Sequence, residues 1–144
     1  MDRLLPDLLR DADLPVPFGR FTLTGLLGEG GMARVFRADL RGPQGFAKQV
    51  AVKIIRASVA NQDEKLRSAL VHEARIGGML HHPNIVETYE LGEVDGFPFI
   101  AMELVEGLGL DDLLRQIPGL PGPIVLEVGR QICEGLHHAH EFHA

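Results

Sequence analysis

Apolar and polar residues alternate along three stretches of the N-terminal half, which is the period expected for β-strands. The predicted strands cover residues 21–27, 33–40 and 46–55. On the third strand, Ala51 and Lys53 share one face, and the other face carries the apolar residues Val50, Val52 and Ile54. This pattern predicts a strand that packs one face on a core and presents a lysine from the other.

The period changes to that of a helix in the middle of the chain, and it predicts a helix over residues 62–80 with Asn61 as its N-cap. The predicted inward-facing residues are Leu66, Ala69, Leu70, Ile76 and Leu80. Glu73 falls within this apolar stripe, where a carboxylate is costly unless a cation pairs with it. Lys53 is the predicted partner, because it too is a single charge among apolar residues.

Two further strands, a linker and two helices complete the predicted elements. The strands cover residues 85–91 and 97–104 with a turn at Asp95-Gly96, the linker covers 105–109, and the helices cover 110–116 and 123–144. Residues 1–17 are predicted to be a packing arm or a loose terminus. The short connections predict an α+β fold, with a five-stranded antiparallel sheet and one helix inserted after the third strand.

Composition and charge exclude several classes of function. Hydrophobic residues make up 45% and charged residues 24%, as in ordinary globular proteins. A net charge of -6 argues against nucleic-acid binding, which requires clustered Lys and Arg. The sequence has no membrane-spanning apolar run and no signal-peptide pattern, and the single Cys133 permits no internal disulfide. We therefore expect a cytoplasmic protein that binds neither nucleic acid nor a membrane.

A glycine-rich turn, Gly28 to Ala33, lies between the first two predicted strands. Backbone amides without side chains can approach a phosphate closely, and the ammonium of Lys53 could neutralise it. The P-loop pattern G-x-x-x-x-G-K-[ST] is absent. Gly28, Gly30 and Ala33 fit the dinucleotide-binding fingerprint, but the following residues predict a strand where that fold requires a helix. A dinucleotide-dependent oxidoreductase is therefore the weaker alternative.

The third glycine-loop chemistry is that of protein kinases, and four motifs resemble this family in the right order. Residues 27–35 resemble the kinase loop G-x-G-x-x-G-x-V, with Ala33 in place of the third glycine, and residues 50–53 (VAVK) resemble the motif V-A-I-K. Residues 72–86 resemble helix C and the loop into the fourth strand, and residues 101–107 are similar to the fifth strand and the hinge. The sequence GEGGM at residues 28–32 is similar to the glycine loop of bacterial serine/threonine kinases of the eukaryotic-like type.

This resemblance implies how the chain is divided. Residues 18–104 would form the N-lobe, residues 105–109 the hinge, and residues 110–144 the start of a C-lobe with two helices. Lys53 would hold the α- and β-phosphates of ATP and pair with Glu73, and these two are the implied catalytic residues. The implied partners are ATP with Mg²⁺ and a protein substrate.

The resemblance also implies which residues surround the nucleotide. The amides of the glycine turn would cover the phosphates, and Val35 and Ala51 would contact the adenine. Met102 would be the gatekeeper at the back of the pocket, next to the hinge backbone that binds the adenine edge. The complete set of implied ATP contacts is Leu27, Gly28, Glu29, Gly30, Gly31, Met32, Ala33, Val35, Ala51, Lys53, Met102, Glu103 and Val105.

The sequence contains no match to the kinase motifs H-R-D-x-x-x-x-N, D-F-G or A-P-E. The catalytic aspartate and the magnesium ligands are therefore missing, no metal site is predicted, and we expect no phosphoryl transfer by this chain alone. Two hypotheses stay open. The chain is the N-terminal portion of a serine/threonine kinase, or it is a free-standing nucleotide-binding or regulatory module that docks on a partner through the exposed face of its last helix.

Overall fold

Six β-strands and three α-helices follow one another in the computed structural model, which describes residues 6–57 and 64–142. The strands are β1 (Val16–Phe18), β2 (Phe21–Glu29), β3 (Ala33–Arg41), β4 (Ala47–Ile55), β5 (Thr88–Val94) and β6 (Phe97–Glu103). The helices are α1 (Glu64–Met79), α2 (Leu110–Gln116) and α3 (Gly122–Glu141). Short 3₁₀ turns cover Pro6–Leu8, Asp11–Asp13 and Pro43–Gly45. The predicted helix at 110–116 is confirmed at both ends.

The strands form one antiparallel sheet in the order β1-β2-β3-β4-β6-β5. The predicted turn between β5 and β6 is present at Asp95 and Gly96, which both have positive φ. Two such residues match the twist of a tight hairpin. The predicted α+β fold and antiparallel sheet are confirmed, whereas the predicted start of β5 at residue 85 is wrong, because that strand begins at Thr88.

The predicted count of five strands is also wrong, since β1 adds a sixth. This strand is three residues long and pairs only with β2, at the edge of the sheet. Pro15 and Pro17 argue against a strand because proline has no backbone N–H, but an edge position tolerates such a residue. Val16 and Phe18 are both buried, so β1 contributes to the core.

The two faces of the sheet have different neighbours. One face forms the main core, in which Phe18 and Phe21 pack their rings edge-on against Phe99 at 5.7 and 5.3 Å between centroids. Leu9 from the N-terminal arm also belongs to this core. Its other buried members are Val16, Leu23, Phe36, Ala38, Val50, Val52, Ile54, Phe97 and Ala101. The opposite face packs against α1, where Leu70 contacts Ala33 and Ile55.

Helix α1 covers the sheet through a narrow line of residues. Leu70 and Ala74 are buried, but Ala69, which was predicted to face inward, is exposed. Gly77 lies close to β5, and a Cβ atom there would be 2.6 Å from Oγ1 of Thr88. Helix and strand therefore approach each other at a distance that only glycine permits. The predicted N-cap Asn61, the start of the helix at residue 62 and the side chain of Leu66 lie outside what the structure describes.

Helices α2 and α3 bury little of their apolar surface. Gly135 is the one buried residue described in α3, and α2 has none. A Cβ on Gly135 would be 3.3 Å from the carbonyl oxygen of Asn84, so α3 approaches the loop before β5 closely. The side-chain amide of Asn84 donates from Nδ2 to the backbone carbonyl of Gln131 at 2.9 Å across the same contact. Within residues 6–57 and 64–142, no helix has the length and apolar character that crossing a membrane requires.

Candidate functional site

The register of the central strands places Val35, Ala51 and Lys53, three of the predicted site residues, on one sheet face. Val35 of β3 lies directly opposite Lys53 of β4, and Arg37 lies opposite Ala51. Directly opposed residues in an antiparallel pair point to the same side, so these four side chains share a face. It is the face on which α1 packs through Leu70, which contacts Ala33 and Ile55. A charged and apolar surface thus continues from the helix toward the linker.

Lys53 and Glu73 meet across this face, with Nζ of the lysine 3.9 Å from Oε1 of the glutamate. The side chain of Lys53 is 29% exposed and that of Glu73 is 66% exposed. The structure therefore brings the two predicted partners together, but the reason given by the sequence is wrong for Glu73. Its carboxylate lies beside the buried line of α1, not within it, so solvent screens the pair.

The glycine turn connects β2 and β3 with few packing demands of its own. The amide of Gly30 donates to the carbonyl of Ala33 at 2.9 Å, which closes the turn. A Cβ on Gly28 or Gly31 would meet no atom within 4 Å, so neither glycine is needed for internal packing. The bare backbone is therefore open to the close approach of another molecule. The β2–β3 register also shifts between Leu26 and Gly28, which bends the strand into the turn.

Ala33 replaces the third glycine of the motif, and the structure gives a packing reason. Its methyl group is buried against Ile55 of β4 and Leu70 of α1. The residues that follow form β3, not a helix. A dinucleotide fingerprint requires a helix at this point, so the structure contradicts the oxidoreductase alternative.

Arg56, which follows β4, joins the glycine turn to the end of that strand through contacts that the sequence pattern did not indicate. The backbone N–H of Arg56 donates to the carbonyl of Met32 at 2.9 Å. Its Nε donates to the carbonyl of Gly30 at 3.0 Å, and its Nη2 is 2.6 Å from Oε1 of Glu29. A single arginine after an apolar strand gives no periodic signal, so only the folded geometry reveals this role.

The other end of the face is bordered by the linker after β6. Ala51 lies opposite Met102 in the β4–β6 register, and Glu103 follows with its N–H bonded to the carbonyl of Glu87 at 2.8 Å. Ala51 is buried and Met102 half-buried, whereas Val105 is exposed. The small residue, the methionine and the linker therefore enclose one end of the face, where the resemblance implies the adenine.

An ion pair connects this linker back to the sheet. Arg37 Nη1 and Nη2 reach the two carboxylate oxygens of Glu106 at 2.6 and 3.1 Å. The hydrogen bonds with the carboxylate raise the pKa of Arg37 above its usual range, and those with the guanidinium lower the pKa of Glu106. The sequence gives no sign of this pair, because nothing along the chain links Glu106 to a strand 69 residues earlier.

Metal ligands are not gathered in the part of the chain that the structure describes. Among those residues, no group of three or more His, Cys, Asp or Glu side chains is arranged to hold a metal ion. The face does fit a nucleotide phosphate, since it combines the open glycine backbone with the partly exposed ammonium of Lys53.

Comparison with known proteins gives the family. The protein kinase domain family matches residues 21–143, so this chain belongs to it. The tyrosine-protein kinase MasK of Myxococcus xanthus is 38% identical in an alignment of 131 positions that covers 88% of this chain and 20% of MasK. The serine/threonine-protein kinase PknH of Mycobacterium tuberculosis is 37% identical over 131 residues, which are 91% of this chain and 20% of PknH.

A solved structure gives the same fold. The crystal structure of the Mycobacterium tuberculosis PknI kinase domain superimposes with a TM-score of 0.71 at 28% sequence identity. The match covers 92% of this chain and 52% of that domain. The chain therefore has a protein-kinase-like fold, corresponds to part of a kinase, and spans only 20% of the length of the two curated relatives. The resemblance to bacterial serine/threonine kinases is confirmed at the level of homology.

Proposed function

We propose that this chain is the ATP-binding portion of a serine/threonine protein kinase, and that these 144 residues alone bind ATP without transferring its γ-phosphoryl group. One observation supports this above all. Lys53 of β4 and Glu73 of α1 approach to 3.9 Å on the face that Val35 and Ala51 share, and the glycine turn leads directly into β3, the neighbouring strand that carries Val35. Several of the similar curated kinases, PknH among them, are named serine/threonine-protein kinases, which favours that class of protein substrate.

Different residues of this face bind the phosphates and the adenine of ATP. The amides of residues 28–33 approach the phosphates, and the ammonium of Lys53 neutralises the α- and β-phosphates. Glu73 holds the lysine in place through its carboxylate. Val35 and Ala51 contact the adenine, with Met102 at the back and the backbone of residues 103–105 at its edge. ATP supplies the transferable phosphoryl group, and Mg²⁺ accompanies it in the family.

Transfer itself requires groups that the sequence does not contain. Kinases position the substrate hydroxyl with the H-R-D aspartate and hold Mg²⁺ with the D-F-G aspartate and an asparagine. None of these motifs occurs in the sequence. Positioning and metal-borne charge supply most of the acceleration of phosphoryl transfer, so binding without turnover is the expected behaviour.

A second candidate function is a free-standing module that binds a nucleotide and docks on a partner. Apolar side chains of α3 favour it, because they lie exposed on the surface. They include Ile124, Val125, Leu126, Ile132 and Leu136. An apolar face of this kind on a helix is a common docking surface. The exposed single Cys133 agrees with a reducing cytoplasm for either candidate.

The test compares ATP binding by the 144-residue chain and by its Lys53→Met variant, measured by calorimetry. We expect weak binding by the unaltered chain and a loss of about tenfold or more in the variant, because a phosphate loses its charge partner. Lys48→Met is the matched control: Lys48 lies on the same strand, but its ammonium contacts the ring of Tyr89 at 3.8 Å. Equal binding by the unaltered chain and Lys53→Met would overturn the assignment of Lys53.

A transfer assay tests the second half of the proposal. The chain is incubated with Mg-ATP labelled at the γ-phosphate and a generic basic protein, and the label on both proteins is counted. We expect none above background. Reproducible transfer that disappears in Lys53→Met would contradict the proposed lack of turnover, while it would support ATP binding.

A further inference from the structure

Arg56 makes three contacts with the glycine turn, and they span its length. Its backbone N–H reaches the carbonyl of Met32 at 2.9 Å, its Nε reaches the carbonyl of Gly30 at 3.0 Å, and its Nη2 reaches the carboxylate of Glu29 at 2.6 Å. Two of these contacts use the guanidinium, whose planar set of donors is suited to holding two acceptors at once. One side chain therefore fixes both the start and the tip of the turn relative to β4, which also carries Lys53.

The charge of Glu29 gives these contacts a second consequence. A carboxylate in a turn that covers phosphates would repel them. Here Oε1 of Glu29 lies 2.6 Å from Arg56 and 3.5 Å from Nε of Arg34. Two guanidinium groups and one carboxylate leave a net charge of +1 on this cluster. Without Arg56 the charges of Arg34 and Glu29 would cancel, so Arg56 supplies the positive charge by which this cluster favours an anion.

The N-terminal arm contacts this cluster through two hydrogen bonds. Arg34 is 5% exposed and donates from Nη1 to the carbonyl of Pro6 at 2.7 Å. Within the described residues the buried Nε of Arg34 has no hydrogen-bond partner. Its charge is instead paired with the carboxylate of Glu29, at 3.5 Å. Asp7 accepts from the N–H of Ala57, the residue after Arg56, at 3.0 Å. The N-terminal arm thus contacts the side chain of Arg34 and the backbone of the residue that follows Arg56.

We propose that Arg56 is a positioning residue for nucleotide binding. Its guanidinium clasps the glycine turn in the conformation that covers the phosphates, and it cancels the repulsion between Glu29 and the nucleotide. This inference rests on the proposed function, in which the turn covers the phosphates of ATP. It assigns a role to a residue outside the glycine motif and outside the lysine motif.

The test measures calorimetric affinities for ATP and for adenosine, which has no phosphates. In Arg56→Gln we expect the ATP dissociation constant to rise about tenfold, as for the loss of charge-assisted hydrogen bonds. The adenosine dissociation constant should stay unchanged, because the contact region of adenine lies at the other end of the face. Arg20→Gln is the matched control, since it removes a guanidinium that pairs with Glu90 far from the turn. It should bind both ligands as the unaltered chain does.

A second variant isolates the charge. Adding Glu29→Gln to Arg56→Gln removes the carboxylate that has lost its main partner, so we expect ATP affinity to recover by about two- to threefold. A merely structural role of Arg56 predicts no recovery, because the double variant has lost more contacts. If the double variant binds ATP more weakly than Arg56→Gln, the proposed cancellation of charge is overturned.

Hydrogen exchange provides a readout that needs no nucleotide. Arg56→Gln should speed exchange at the amides of residues 28–33, whereas Lys53→Met should not. If both exchange at these amides and ATP affinity are unchanged in Arg56→Gln, the clasp is wrong while the proposed function stands. If the unaltered chain binds neither ATP nor adenosine, the proposed function is overturned, and the role of Arg56 in nucleotide binding with it.

Discussion

The sheet and the two C-terminal helices of this chain are stabilised in different ways. In the sheet, large side chains such as Leu23 and Phe36 are fully buried, and every strand contributes to one core or borders it. In α3, Leu126 is 76% exposed, and the contact with the loop before β5 depends mainly on Asn84 and Gly135. The buried core therefore stabilises the sheet by itself. The helices instead present an apolar surface, which no other described residue of the chain covers.

The largest expected effect tests this difference with one chemical change at two positions. Leu23→Ala should lower the free energy of unfolding by about 2–5 kcal/mol, because it leaves a cavity in a closed core. Leu126→Ala should change it by less than about 0.5 kcal/mol, since its side chain is already in solvent. Urea denaturation followed by circular dichroism measures both. Equal losses would mean that α3 shares the core of the sheet.

The next effect concerns where the sheet domain begins. Leu9 is 6% exposed in the main core, whereas its neighbour Leu8 is 71% exposed. Leu9→Ala should lower the free energy of unfolding by about 2 kcal/mol, at the low end of the range for buried leucines because the arm can relax. Leu8→Ala is the control and should have almost no effect. A neutral Leu9→Ala would show that the arm is a loose terminus and not part of the core.

Much of this arrangement could be predicted from the sequence. Strand alternation located β2, β3, β4 and β6, and the kinase motifs placed the glycine turn beside Lys53. The pairing of Lys53 with Glu73 followed from two single charges in apolar patterns, although Glu73 proved exposed. The burial of individual α1 residues could not be predicted, because the helix packs on the sheet through a narrow line of residues. A side chain one position away from that line is already exposed to solvent.

Other features leave no periodic trace in a sequence. The strand β1 is too short to alternate visibly, and its prolines point away from a strand unless its edge position is known. Arg56 and Arg37 find their partners 27 and 69 residues away in the chain. Such contacts depend on strand register and on the path of the linker. Charged residues on exposed positions look alike until the fold brings their partners together.

A smaller effect is expected where the sheet meets the linker. Arg37→Gln or Glu106→Gln breaks the ion pair that joins β3 to the linker, and we expect ATP affinity to fall about two- to threefold, as for an exposed pair with good geometry. The double variant should be no worse than either single variant, because both remove the same contact. Losses that simply multiply in the double variant would contradict a shared contact. Calorimetry on all four proteins gives the comparison.

The smallest effect lies within α3 itself, where ion pairs along the helix stand in for core packing. Hydrogen bonds from Arg130 and then Gln131 lower the pKa of Glu127 from its ordinary value of 4.5 to about 2. A lowered carboxyl pKa means that the ionised group stabilises the helix above the ordinary pKa, and that this contribution is lost as the pH falls toward the lowered value. Glu127→Gln should therefore reduce the helical circular dichroism signal slightly at pH 7, and the difference from the unaltered chain should shrink between pH 4.5 and about 2.

Glu141→Gln, in the exposed last turn of the same helix, is the control, and it should not reproduce this pH dependence. If the difference between Glu127→Gln and the unaltered chain is independent of pH across this window, the ion pairs do not support α3. The helix would then owe its stability to its contact with Asn84 and to its own backbone, which would narrow the contrast with the sheet.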